Sequence, residues 1–324
     1  MTLQHKGLKL PGTIEVSVTE DKDERPAAAR TYRVNDVAVA ARPIETALYL
    51  VATPIGNLGD ITLRALETLA AADVLACEDT RVTRVLLDRY GIATRPYAYH
   101  EHNADEVGPR LIEALAAGKS VALVSDAGTP LVSDPGYRLG QLAIEAGYRV
   151  VPIPGASAPL AALVGSGLSN DTFLFAGFLP TKDKAKRDRL EELRQVPGTL
   201  IFFESPHRIG ATLSAAADVL GGRRRAAVCR ELTKTFEEFR RDTLAQLAMD
   251  YADRTVKGEI VLVIAPPDPP LPPGEKDVDE LLRRLSSDLS VGKAASEAAR
   301  QTGLPRRDLY QRLIELKDDH AGGR

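Results

Sequence analysis

The chain has 324 residues, 44% of them hydrophobic and 27% charged, enough to bury at least one full core and too apolar to be disordered throughout. A net charge of −3 excludes a general positive field, so any nucleic-acid partner has to be met by local basic patches. Two cysteines, Cys77 and Cys229, exclude a disulfide framework and a four-cysteine zinc site and fit buried thiols in a reducing cytoplasm; no apolar run approaches the roughly 20 residues that span a bilayer, so no membrane anchor is expected.

Residues 1–45 mix charge, proline and alanine and are expected to form a mobile N-terminal extension, with a short strand pair over Tyr32 to Val39. From residue 46 the texture changes. Strands are predicted at 48–52, 73–77, 120–125 and 149–153, alternating with helices near 61–72, 82–89, 105–117, 136–146 and 157–164. FLFAGFL at 173–179 opens a second series, with strands at 199–204, 226–231 and 259–265 and helices near 183–194 and 207–219. This rhythm is α/β, divided into an N-terminal domain over 46–168 and a C-terminal one over 169–265. PPDPPLPPG, six prolines in nine residues, is a stiff linker over 266–275. Beyond it, helices at 277–289 and 291–317, broken at Gly303 and Pro305, make a helical appendage over 276–324 that resembles a helix-turn-helix. From Lys293 to Lys317 it carries six basic and three acidic side chains, which suits a solvated face or an RNA-contacting one.

Three predicted strands run into loops shaped by glycine and proline. The first is Thr53-Pro54-Ile55-Gly56-Asn57-Leu58-Gly59-Asp60, where Asp60 is placed to cap the next helix. The second runs from Asp126-Ala127-Gly128-Thr129-Pro130 to Ser133-Asp134-Pro135-Gly136, and the third is Pro154-Gly155-Ala156-Ser157-Ala158. Such turns at the carboxyl ends of strands are costly unless backbone has to approach a ligand, so the three are expected to share one pocket. Neither the dinucleotide-binding glycine pattern nor a phosphate-binding P-loop is present.

TPIGNLGD at 53–60, SDAGTPLVSDPG at 125–136, PGASA at 154–158, GFLP at 177–180, FESPHR at 203–208, RELTKTFEE at 230–238 and KGEIVLVI at 257–264 closely resemble the ribosomal RNA small subunit methyltransferase I family of the tetrapyrrole-methylase superfamily. The resemblance implies two α/β domains with S-adenosylmethionine in the cleft between them, and methylation of a cytidine ribose 2′-hydroxyl in the decoding region of 16S rRNA. It implies no metal, and it suggests a cytoplasmic homodimer acting on RNA within the 30S subunit. Carried over by position, the cofactor lies against Pro54, Asp126, Gly128, Thr129, Val132, Ser133, Ser157 and Ala158, and against Phe175, Ala176, Leu232, Gly258 and Ile260 of the second domain.

A ribose hydroxyl is a weak acid, so a base or cation near it would assist transfer. The matching motifs offer Glu204, His207, Arg208, Glu231 and Lys234, together with Glu78, Asp79 and Arg81 in the ACEDTR stretch at 76–81. Glu204 is either a base pointing into the cleft or the partner of Arg208 or Arg230. His207 is either a group titrating near neutrality or a helix-start histidine. Arg223, Arg224, Arg225, Arg306 and Arg307, with the run Lys182 to Arg194, are the expected phosphate-binding surfaces. A tetrapyrrole C-methyltransferase shares the fold and cofactor but has no use for a basic tail. A non-catalytic RNA-binding assembly module leaves the three loops without a purpose.

Overall fold

The computed structural model describes residues 30–131, 136–268 and 275–321. Most of the N-terminal extension, the middle of the proline-rich linker and the proposed cofactor contacts Val132 and Ser133 lie outside them.

Strands β1 (Thr31–Val34) and β2 (Val37–Ala40) form an antiparallel hairpin turned at Asn35 and Asp36, both with positive φ, the geometry of a tight two-residue turn. The expected strand pair is therefore present. Tyr32 is buried in the first domain's core, and Arg33 N–H donates to the carbonyl of Tyr90.

The first domain then runs β3 (Leu48–Val51), α1 (Leu63–Ala71), β4 (Val74–Cys77), α2 (Thr80–Arg89), β5 (Pro96–Ala98), α3 (Ala104–Ala116), β6 (Val121–Val124), α4 (Tyr137–Glu145), β7 (Val150–Ile153) and α5 (Ala158–Ser166). Thr62, not Asp60, caps α1 by accepting from the amide of Ala65. Asp79 caps α2 through the amide of Arg81. The strands form one parallel sheet in the order β5-β4-β6-β3-β7. Neighbouring β3 and β6 send their following chain in opposite directions across the sheet, and that switch leaves a crevice at their carboxyl ends.

The second domain comprises β8 (Phe173–Phe178), α6 (Asp183–Leu193), β9 (Thr199–Glu204), α7 (Ile209–Leu220), β10 (Arg225–Arg230), β11 (Glu238–Thr243), α8 (Leu244–Tyr251) and β12 (Ile260–Ile264). Its sheet, ordered β11-β10-β12-β9-β8, is antiparallel except for the β8–β9 pair. One face packs on α6, α7 and α8. The other face is covered by α5, which follows the first sheet in sequence but buries Ala162 and Leu163 against Ile201, Cys229 and Val263 of the second. The interdomain core is made this way, and it presses the first domain's carboxyl-end loops against one end of the second sheet. Cys77 and Cys229 are both free and buried.

Helices α9 (Glu275–Asp288), α10 (Val291–Thr302) and α11 (Arg306–Ala321) bury Leu282, Ala294, Ala298, Leu309 and Leu313 in a core of their own. Gly303 closes α10 in the left-handed conformation, which lets the chain reverse before Pro305. No helix among the described residues is long and apolar enough to cross a membrane.

Candidate active site

The three glycine- and proline-shaped loops bind one another before they bind anything else. Thr53 and Gly128 exchange two backbone hydrogen bonds of 2.8 and 3.1 Å, and the Thr129 hydroxyl donates to the carbonyl of Ala156 at 3.2 Å. Gly128, at φ +81°, is needed for the turn, but its amide is occupied by Thr53 and is not offered to a ligand. The locked loops form one wall of a cleft of about 370 Å³, lined from the first domain by Ile55, residues 127–129 and Ser157 to Pro159. The opposite wall is Phe178, Phe203, Pro206 and the start of β12. The Phe178 and Phe203 rings lie 5.4 Å apart at 55°, and Phe178 is 57% exposed to the cleft side of the sheet, an apolar bed with few fixed polar groups.

A second cavity of about 340 Å³ adjoins the first and shares Ile55, Ala127 and Glu259 with it. It opens at the carboxyl ends of β3 and β6, with Val82, Val85 and Leu86 of α2 on one side and Asp126, Lys234 and Glu259 on the other. Asp126 accepts the amide of Asp79 at 2.9 Å. Asp79 is in turn held at about 2 by the hydrogen bond from the Arg81 side chain and by the amide of Arg81.

Lys234 is gripped by two carboxylates, Glu231 at 2.9 Å and Glu259 at 3.1 Å, and the same Glu231 oxygen accepts the Glu259 amide at 3.0 Å. Burial lowers the lysine's pKa, but the hydrogen bonds to Glu231 and Glu259 outweigh it and the net shift is upward. Glu231 is held below its ordinary value by Lys234 and by the Glu259 amide. At neutral pH the lysine is therefore an ammonium held by the ionised Glu231, with the Glu259 side chain as its second acceptor. The loop carrying it stores strain: Glu231 and Thr233 both have positive φ, at 52° and 65°, a cost that persists where surrounding structure enforces it. Gly56 allows the lysine's stem to cross the domain boundary, since a Cβ there would sit 2.5 Å from the Lys234 Cγ.

The structure sorts the remaining candidates. Glu204 borders the first cavity without exposing its carboxylate to it. It pairs in register with Ile260 on the sheet face that packs on α7, where it is fully buried, accepts from Thr212 at 2.6 Å and pairs with Arg208 at 3.3 Å. Arg208 also donates to the carbonyls of Leu179 and Pro180, so the two residues fasten the chain after β8 to the end of β9. His207 is exposed and begins the turn into α7, its amide donating to Ser205 Oγ. Of the expected cofactor contacts, Gly128, Thr129, Ser157, Ala158, Gly258 and Ile260 line the first cavity. Pro54 and Asp126 line the second. Phe175 packs behind Phe203 at 4.9 Å, Leu232 is buried in the interdomain core, and Ala176 faces the opposite core, so these three wall neither cavity. Sequence reasoning passed over the Glu259 side chain, which lines both cavities; the KGE triplet before β12 was its signal. Phe178 and the valines of α2 were missed as well, because an exposed apolar side chain has no signature in a sequence.

A family model described as Tetrapyrrole (Corrin/Porphyrin) Methylases matches residues 47–248, and one described as the RsmI C-terminal HTH domain matches 272–317. A ribosomal RNA small subunit methyltransferase I from Mesorhizobium japonicum is 62% identical over 90% of this chain and 99% of its own length. The chain belongs to the ribosomal RNA small subunit methyltransferase I family. A member from Halalkalibacterium halodurans is 46% identical over 81% of this chain and 93% of its own. Two solved structures share the fold: a diphthine synthase (TM-score 0.54, 21% identical, 67% of this chain and 89% of that one) and a cobalt precorrin-4 methyltransferase (TM-score 0.53, 17% identical, 68% and 95%).

In this member of the methyltransferase I family the expected phosphate-binding arginines separate. Arg223 and Arg225 are exposed, but they stand at the start of β10, the end remote from the cleft. Arg224 is buried; its guanidinium donates to the carbonyls of Ala265 and Arg194, and burial lowers its pKa. Most charges of the run Lys182 to Arg194 pair within α6 or with Asp218, and Lys186 is buried. Arg306 and Arg307 are exposed at the start of α11 and make no ion pair among the described residues.

Proposed function

We propose that this methyltransferase transfers a methyl group from S-adenosylmethionine to the ribose 2′-hydroxyl of a cytidine in the decoding region of 16S rRNA, within the 30S subunit. The observation that carries this is the pair of adjoining cavities meeting at Ile55, Ala127 and Glu259, one suited to the cofactor and the other open to an acceptor. The first cavity fits S-adenosylmethionine through its residues: Phe178 and Phe203 offer apolar surface to an adenine, while Ser157 and the 127–129 turn offer polar groups to an amino-acid tail. When bound, that cofactor supplies an electrophilic methyl on a sulfonium sulfur, which keeps the bonding electron pair as it leaves.

The chain's own residues align the acceptor and manage its proton. Alignment supplies most of the acceleration, because a displacement at carbon needs the attacking oxygen in line and close. Lys234, already an ammonium, cannot take a proton; it stabilises the oxygen as negative charge develops. Glu259, 75% exposed at its side chain and hydrogen-bonded to Lys234, takes the proton that the hydroxyl gives up as the oxygen–carbon bond forms. Free buried cysteines fit a cytoplasmic enzyme. Exposed apolar side chains on α4 and α5, Tyr137, Ile144, Leu160 and Val164, fit burial in a homodimer, which sedimentation velocity tests.

The deciding experiment is transfer of labelled methyl from S-adenosylmethionine to 30S subunits from cells lacking the enzyme, beside naked 16S rRNA and a tetrapyrrole acceptor. Label in a cytidine ribose of the 30S subunit is the expected result. Label in the tetrapyrrole alone would overturn the substrate, and no label despite cofactor binding would overturn the activity.

A further inference from the structure

We infer that the second cavity is the acceptor subsite: it receives one pyrimidine nucleoside unstacked from RNA, and Asp126 selects cytosine there. The inference rests on the RNA methyl transfer argued above and names where and how the acceptor is read. Three observations on the cavity carry it.

The first is continuity. The cavity shares Ile55, Ala127 and Glu259 with the cofactor cleft and holds Lys234 at its edge, so a ribose seated in it lies beside the ammonium and carboxylate that manage the hydroxyl. The second is its two-sided lining. Val82 and Val85 are 44% and 62% exposed, leaving aliphatic surface on α2 in water where a helix surface is ordinarily polar. With Leu86 they offer a flat apolar wall to the face of a base, and no aromatic ring is among the lining residues. The third is the carboxylate opposite. One Asp126 oxygen accepts the Asp79 amide, which fixes the side chain's direction. The other has no hydrogen bond among the described residues and is open to a ligand. A carboxylate accepts from the exocyclic amino group of cytosine, whereas uracil presents a carbonyl oxygen at the same place, which the carboxylate repels. A base inside a helix cannot reach such a cavity, so the nucleotide has to be extruded, as in other enzymes that act on a single nucleotide of folded RNA or DNA.

This moves Asp126 from the cofactor, where its motif placed it, to the acceptor. The test uses the full-length protein saturated with S-adenosylhomocysteine, so that affinity for 30S subunits is read without any transfer step. Subunits carrying cytidine or uridine at the acceptor position are compared. Wild type should bind the cytidine form about tenfold more tightly, the size of one good polar base contact. Asp126→Asn should reduce that preference to near unity, because an amide can present either a donor or an acceptor. Val85→Asp, on an exposed face where folding is not at stake, should weaken binding of both forms about tenfold or more. Cofactor affinity by calorimetry should be unchanged in both variants. Loss of cofactor affinity with the base preference intact would assign the cavity to the cofactor and overturn the inference; so would variants that bind both 30S forms as wild type does. Because binding is read without turnover, absence of methyl transfer in the earlier assay would count against the activity alone.

Discussion

Glu204 ends β9 and Glu259 precedes β12, side by side at one end of the second sheet, yet their side chains do different work. Register decides this: Glu204 pairs with Ile260 and shares its face, the one buried under α7, while Glu259 stands one position earlier and reaches the cavities. Replacing Glu204 by alanine removes the partner of Arg208 and the acceptor of Thr212. That should cost about 3 kcal/mol of stability, seen as a lower melting temperature, while affinity for S-adenosylmethionine stays as in wild type. Glu259→Gln should do the reverse, keeping the melting temperature and cofactor affinity and lowering kcat by about 10²–10⁴-fold, the usual worth of a positioned base. Equal stability loss in both variants would refute the division. The motif FESPHR was legible in the sequence, but the direction of its acid was not, since a strand-end residue faces either core depending on a register that only the neighbouring strand defines.

At the scale of elements, what could be read was what is buried. Strands β3, β4 and β6 of the first sheet and the inner strands of the second are short, nearly continuous apolar runs because both faces are covered, and all were predicted within a residue or two. Two edge strands were missed. β5 is three residues long and opens on Pro96, a residue tolerated at a sheet's margin; β11 reads EFRRDT, with the charges that protect an edge in place of alternation. Nor could sequence order show that α5 belongs to the second sheet's packing, because apolar side chains line it on several sides and do not name their partner. Helix contacts yield a sharper expectation. Gly210, near the start of α7, lies so close to the end of α8 that a Cβ would stand 2.6 Å from the carbonyl oxygen of Tyr251. A backbone atom cannot swing aside as a side chain can. Gly210→Ala should therefore lower stability by about 1–3 kcal/mol and depress the chemical-denaturation midpoint; an unchanged midpoint would mean that α7 and α8 are not packed this closely.

For the whole molecule the question is how a chain of net charge −3 holds a polyanion. Many of its basic side chains are already neutralised: Lys184, Arg187 and Arg189 of α6 by their own helix and Asp218, Arg300 by Glu297, and Arg312 by Asp279 and Glu315. Arg223 and Arg225 lie at the wrong end of β10 to guide RNA into the cleft. The cations left for phosphate include Arg306 and Arg307, side by side at the start of α11 in a helical unit with its own core. Because that core draws on neither sheet, substitutions on its surface should leave the cleft intact. The double variant Arg306→Ala, Arg307→Ala should bind S-adenosylmethionine normally and bind 30S subunits more weakly, with the salt dependence shallower. Each lost phosphate contact to a helical duplex removes about 0.9 from the slope of log affinity against log salt concentration, and somewhat less on single strands. A slope reduced by about 1.5–2 in the double variant would place both arginines on phosphates, whereas weaker binding with an unchanged slope would mean that the appendage recognises shape or bases and leaves the backbone charge to other parts of the chain.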